Sequence, residues 1–309
     1  MAKILAVLCS GRRHGYTATV MEAALEGAKE AGAGVEVAHL REFSFGPCTS
    51  CFECIRREDH TCVLPDDMGR EGEGRLFVKV RGANALLLAD AVHMWGPTAS
   101  AHLFIERLYP FVWRGELNGM PFASISCATN QGMQHLAREE ICKWAFTLGM
   151  RYVGGLAVHA ARFGRALREA KLLGRRLAEA ALEDERGRRR YGDDAERFLD
   201  YADKPWSPLL PYLENLTKGT LTDEGSLLEE ALCEGTFDDG EALKLLTKAA
   251  DGLREALKRY KLGDLEGATR ALVKASAYWT HATWRQFLER EVIGVKPPRA
   301  YRPLPDRRG

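Results

Sequence analysis

Cys48, Cys51, Cys54 and Cys62 carry the spacing C-x2-C-x2-C-x7-C. Four thiolates that reach one point from a short loop make a soft, anionic cage, which selects an iron–sulfur cluster or zinc. Zinc sites of four cysteines commonly use separated pairs, whereas a triple C-x2-C-x2-C is typical of clusters. In the bacterial ferredoxin run the fourth cysteine precedes proline and serves a second cluster. Here Cys62 precedes Val63, and no second set exists. The spacing favours an iron–sulfur cluster, with zinc, and then free thiols, kept as the alternatives. His60 reads as a loop histidine rather than a ligand. Cys9, Cys127, Cys142 and Cys233 lie outside the group and are expected to be buried packing thiols.

A second group follows the first apolar run. Residues 9–17 read Cys9-Ser10-Gly11-Arg12-Arg13-His14-Gly15-Tyr16-Thr17. A helix start offers free N–H groups and the positive end of a dipole, which suit a phosphate. Ser10 and Thr17 add hydroxyls, Arg12 adds charge, and Gly11 and Gly15 let the backbone turn tightly around an anion. The stretch has neither G-x-G-x-x-G nor the G-K-[ST] ending of a P-loop. A single phosphate, as in a mononucleotide, fits it.

The elements that must position these groups alternate. Residues 4–8, 35–40, 85–89, 122–125 and 152–158 read as strands. Val20, Met21, Ala24, Leu25 and Ala28 repeat at helical spacing, and residues 167–182 mark a further helix. Such alternation implies a parallel sheet covered on both faces. Residues 68–82 contain Gly69, Gly72 and Gly74, each of which weakens a helix, so a loop and then a short helix near 76–80 are expected. Beyond Arg190 the pattern is helical without strands. Two amphipathic faces, Leu243 to Tyr260 and Leu265 to Ala282, predict an antiparallel pair joined at Gly263. Asp238 with Glu241 resembles a capping box at the start of the first. The organisation is therefore residues 1–185, residues 190–295 and a Pro-rich extended tail at 296–309.

The chain has 309 residues, is 46% hydrophobic and 28% charged, and carries a net charge of +1. That balance gives no footprint for nucleic acid or an anionic membrane. Arg186 to Arg190 read as a solvated helix end. No apolar run reaches membrane-spanning length, which places the chain in the cytoplasm. Thiols stay reduced there, so clustered cysteines point to metal rather than disulfides.

Residues 1–182 resemble the NAD(P)H-dependent FMN reductase and iron–sulfur flavoprotein family, of flavodoxin-like fold. The family's G-S-P-R-x-x-G-N-T is similar to Cys9-Ser10-Gly11-Arg12 followed by Gly15-Tyr16-Thr17. Its C-x-x-x-D-D-M is similar to Cys62-Val63-Leu64-Pro65-Asp66-Asp67-Met68. Its S-P-V-Y and F-I-D-R correspond to Asp90-Ala91-Val92-His93 and Phe104-Ile105-Glu106-Arg107. Its L-G-M-x-x-V-G matches Leu148 to Gly154. Departures fall at Cys9, Gly11, Ala91 and His93.

The resemblance implies a doubly wound parallel five-stranded sheet with an all-α C-terminal extension. It implies FMN, its phosphate on Ser10, Arg12, Gly15, Tyr16 and Thr17. Ala91, Val92, His93, Met94, Trp95 and Gly96 would border the ribityl chain and ring. Thr129, Asn130 and Gly132 would close the other side. It implies a [4Fe–4S] cluster on Cys48, Cys51, Cys54 and Cys62. The reading is an oxidoreductase passing electrons between NAD(P)H or a protein donor, FMN and the cluster. No side-chain nucleophile or acid–base pair is needed, because the cofactors carry the chemistry. Expected partners are a small-molecule or ferredoxin-like redox donor or acceptor and further copies of the chain. The alternatives are a flavin or quinone reductase without a cluster, and a zinc-stabilised binding module with a helical docking domain.

Overall fold

The computed structural model describes residues 1–292, 294–298 and 302–305. Its contacts divide into two units, Met1–Tyr191 and Gly192–Gly309.

In the first unit the strands are β1 (Lys3–Leu8), β2 (Gly34–His39), β3 (Ala85–Ala91), β4 (Pro121–Ala128) and β5 (Arg151–His159). They form one parallel sheet in the order β2-β1-β3-β4-β5. The helices are α1 (Tyr16–Glu30), α2 (Glu53–Arg56), α3 (Arg75–Arg81), α4 (Ala99–Glu106), α5 (Tyr109–Arg114), α6 (Gln134–Thr147) and α7 (Phe163–Arg186). This is the doubly wound order in which ligands bind outside the carboxyl ends of the strands. The Gly-rich stretch becomes a 3-10 turn, Arg70–Gly72, followed by α3. Helix α7 runs longer at both ends than its apolar periodicity indicates.

Alternate residues of the strands build one core layer. Ile4, Ala6 and Leu8 of β1, Leu87 and Ala89 of β3, and Ala123 and Ile125 of β4 cluster with Val20, Met21, Ala24 and Leu25 of α1 and Leu173 and Leu177 of α7. Period-2 alternation puts the strand residues on one face, and α1 and α7 cover it side by side. Their backbones approach where they lack side chains. A Cβ on Gly27 would lie 2.0 Å from the Lys171 carbonyl oxygen, and one on Gly174 would lie 1.7 Å from that of Ala24. Arg188, inside the basic stretch expected to be solvated, ion-pairs with Asp184 at 2.6 Å and is 18% exposed.

The second unit holds α8 (Asp194–Asp200), α9 (Leu209–Thr217), α10 (Leu227–Cys233), α11 (Gly240–Lys261) and α12 (Leu265–Thr283), then a π-helical segment, Trp284–Val292. Helices α11 and α12 pack along their lengths across a turn in which Gly263 takes φ +76°. The cap of α11 differs from expectation. Asp239, not Asp238, accepts from the amides of Glu241 and Ala242 at 3.0 and 2.9 Å. Asp238 is held by Gln286 and Arg290 instead. Cys233, expected to be buried, is exposed at the end of α10. Of the Pro-rich tail, residues 296–298 and 302–305 form neither helix nor strand; residues 299–301 and 306–309 lie outside the described residues. Among the described residues no helix is long and apolar enough to cross a membrane.

Candidate functional site

Three loops meet the carboxyl edge at the neighbouring strands β1, β3 and β4. The first leaves β1 and enters α1. Gly15 caps the helix without a side-chain bond, and no acidic residue sits in the first turn. Its leading N–H groups therefore keep the positive end of the dipole uncancelled. Arg12, Arg13 and His14 are exposed around it, Tyr16 is 47% exposed, and Ser10 is buried. The loop is fixed from below. A ring nitrogen of His39 meets the Ser10 carbonyl at 2.8 Å, Arg41 donates to the Gly11 carbonyl at 3.1 Å, and Ser100 donates to that of Cys9 at 2.8 Å. Thr17, like Ser10 and unlike Arg12 and Tyr16, is buried.

The second loop leaves β3. Ala91 ends the strand, and His93 and Gly96 exchange backbone hydrogen bonds at 3.0 Å each. Met94 and Trp95 form the tip with φ +49° and +65°. Two successive positive φ values define the tightest hairpin turn, which favours Asn-Gly. Bulky residues there cost about 1–2 kcal/mol each. Yet Met94 is 98% and Trp95 59% exposed, so the strain returns little packing within the chain. It leaves an exposed aromatic ring on the loop after β3, the strand paired with β1. Behind it Asp90, fully buried, accepts from the Thr98 amide at 2.8 Å and its hydroxyl at 2.7 Å. Burial pushes the Asp90 carboxyl up to about 6.

The third loop, residues 128–133, leaves β4. Asn130, Gly132 and Met133 take φ +58°, +91° and +66°. His159, at the end of β5, joins the Asn130 carbonyl through Nε2 at 3.0 Å and accepts the Ala161 amide at Nδ1, 3.1 Å away. These partners fix the Nε2–H tautomer. Thr129, Asn130 and Gly132 thus come to the same edge as residues 10–17 and 91–96.

The four cysteines lie on the excursion between β2 and α3. Positive φ at Ser50, Phe52 and His60 folds it back on itself. Burial pushes the Cys54 thiol up to about 12, with Cys62, Cys48 and Cys51 adding repulsion. The other three thiols are therefore each near enough to Cys54 to act on it electrostatically. Ser50 N–H points at Cys48 Sγ at 3.4 Å, and Arg107 Nη2 points at Cys62 Sγ at 3.4 Å. His60 Nδ1 meets the Cys54 carbonyl at 2.9 Å, which engages that nitrogen as a donor. The thiols do not converge as closely as the spacing predicts. Among the described residues no three His, Cys, Asp or Glu side chains are arranged to hold a metal ion. A tetrahedral zinc at about 2.3 Å from each sulfur needs them about 3.8 Å apart. A cluster spreads its cysteine ligands over several irons and accepts a wider cage. The donor set fits a cluster in type, number and loop; closing on it requires the thiols to deprotonate, which bound cations favour.

The Asp66-Asp67-Met68 sequence fastens this excursion. Arg107, 2% exposed, forms a fork on Asp66 at 2.6 and 2.9 Å and donates to the Gly46 carbonyl at 2.7 Å. Arg75 forms a second fork on Asp67 at 2.7 Å for both bonds, and the Ser44 amide donates to the same carboxylate. That pairing holds the Asp67 carboxyl below its ordinary range. Met68 is fully buried beneath them. Sequence reasoning assigned no role to Arg107, Asp90, His39 or His159. Arg107 and Asp90 left a signal only as members of two motifs shared with the family; His39 and His159 left none.

A family model described as NADPH-dependent FMN reductase matches residues 2–164. An iron–sulfur flavoprotein of Archaeoglobus fulgidus is 28% identical over 182 residues, covering 58% of this chain and 80% of that protein. One from Methanosarcina thermophila is 27% identical over 154 residues, covering 49% and 77%. Among solved structures, a flavone reductase is similar with 21% identity, 62% of this chain and 66% of that one covered, and a TM-score of 0.46.

Proposed function

The chain belongs to the NADPH-dependent FMN reductase family of oxidoreductases, and on that footing we propose that it is an iron–sulfur flavoprotein. In this reading FMN lies on the carboxyl edge of the sheet, and a [4Fe–4S] cluster is held by Cys48, Cys51, Cys54 and Cys62. Bound flavin supplies hydride acceptance, and a cluster supplies one-electron transfer. The chain's own residues do the rest. The amides at the start of α1, with Arg12 and the Ser10 hydroxyl, hold the phosphate. Trp95 and the loop at residues 128–133 flank the ring, and the Asp90–Thr98 bonds keep the Trp95 turn in place.

One observation carries the cluster half of this reading. Four thiols stand on a single excursion that leaves the strand next to β1, and three of them act electrostatically on the fourth, Cys54. The resemblance to iron–sulfur flavoproteins supports it. That no three His, Cys, Asp or Glu side chains are arranged to hold a metal ion among the described residues favours a second reading, a flavin reductase without a cluster.

The test is anaerobic titration of the purified holoprotein with NADPH, followed by visible absorbance and electron paramagnetic resonance. Bleaching of flavin absorbance together with a reduced-cluster signal supports the proposal. Bleaching without such a signal, in protein lacking iron, supports the reductase. Flavin that stays oxidised under NADPH overturns the nicotinamide donor.

A further inference from the structure

Arg107 stands apart from the residues that hold either cofactor. It ends the α4 segment, yet its guanidinium is almost completely buried against the four-cysteine excursion. Three of its contacts join parts of the chain far apart in sequence: the Gly46 carbonyl before the first cysteine, and the Asp66 carboxylate and Cys62 Sγ at the far end. A buried ion pair loses its solvation on both sides and is a poor stabiliser unless its remaining hydrogen-bonding capacity is used. Here that capacity is directed at the loop's two ends and at a cysteine sulfur. Arginine suits the task because its planar fork can grip a carboxylate with two bonds while other N–H groups point elsewhere.

We propose that Arg107 is a positioning residue for the cluster, fastening both ends of the excursion and donating to the Cys62 thiolate so as to raise the cluster's reduction potential. The inference rests on the iron–sulfur reading above. Reduction adds negative charge to the cluster and its sulfurs. A hydrogen-bond donor carrying positive charge stabilises the reduced form more than the oxidised one. Hydrogen bonds to the ligating sulfurs and solvent exposure are recognised determinants of cluster potential. A second guanidinium, that of Arg56, also reaches the loop, donating to the Cys51 carbonyl at 2.9 Å.

The experiment compares anaerobically prepared wild-type protein with Arg107→Met and Arg107→Lys. Bound FMN in each variant reports that the sheet is folded. Arg107→Met is expected to release iron to a chelator at least tenfold faster and to show a lower cluster midpoint in a redox titration. Arg107→Lys, which keeps the charge but not the fork, is expected to fall between the two. Unchanged chelation rate and midpoint in flavin-loaded Arg107→Met overturn the proposal. A wild-type protein that binds no iron overturns the iron–sulfur reading and the donor role together. The fastening role is then decided by limited proteolysis of the iron-free proteins, in which Arg107→Met must be cut faster within residues 46–66. Equal cutting overturns that role as well.

Discussion

Asp90 and Thr98 are joined twice, the carboxylate accepting from both the amide and the hydroxyl of the threonine. The pair closes the loop that carries Trp95 and sits fully buried at the end of β3. Burial outweighs the hydrogen bonds and raises the carboxyl from 3.8 to about 6. Between those values the folded chain keeps a proton that the unfolded chain has lost. Stability is therefore greatest below pH 4 for this group and falls as pH rises through 6, by about 3 kcal/mol. Asp90→Asn keeps an acceptor for Thr98 and has nothing to titrate. The difference in melting temperature between Asp90→Asn and wild type is expected to favour the variant increasingly from pH 4.5 to 7. A pH-independent difference would count against this account.

Met94 and Trp95 occupy a turn shaped for Asn-Gly. Replacing both, as Met94→Asn with Trp95→Gly, is expected to raise stability by about 1–2 kcal/mol through relief of the left-handed strain. It is also expected to weaken FMN binding, because an exposed aromatic face is removed. Denaturation of the apoprotein and flavin fluorescence titration read the two effects separately. Loss of stability would show that the turn is not strained.

Arg12 is exposed beside the uncapped start of α1. Its removal in Arg12→Ala takes away one charge-assisted contact, worth about 1–2 kcal/mol at such a site. FMN affinity should fall about tenfold, and iron content should not change. A parallel loss of iron would mean that the two sites are not independent.

Gly174 meets the Ala24 carbonyl oxygen where α7 crosses α1. A methyl there cannot be absorbed by a rotamer change, since the obstacle is backbone. Gly174→Ala is expected to destabilise the first unit by about 2–3 kcal/mol or more, as overpacking does. Because α1 carries the phosphate loop, flavin affinity should fall with it. Thermal melts and flavin titration check both.

The fold was legible because its signals are local. Apolar runs of strand length, helical spacing on α1 and α7, and the turn residues between them require no knowledge of distant contacts. The loop at residues 10–17 was legible for the same reason. Arg107 was not. The motif Phe104-Ile105-Glu106-Arg107 marks the residue but not its partners, and only the folded excursion at residues 46–66 shows these to be Gly46, Cys62 and Asp66. Asp90 was equally hidden, since its character comes from burial between β1 and β4. The capping aspartate of α11 was misplaced by one residue because Asp238 and Asp239 offer the same chemistry, and long-range contacts with Gln286 and Arg290 decide between them.

The cysteine excursion carries the central claim, and its content of metal tests it most directly. Protein purified without oxygen is assayed for flavin, iron, acid-labile sulfide and zinc, beside Cys51→Ala. The account predicts FMN with roughly four iron and four sulfide per chain, and in Cys51→Ala the loss of iron with flavin retained. Zinc in place of iron, or iron that persists in Cys51→Ala, would contradict it.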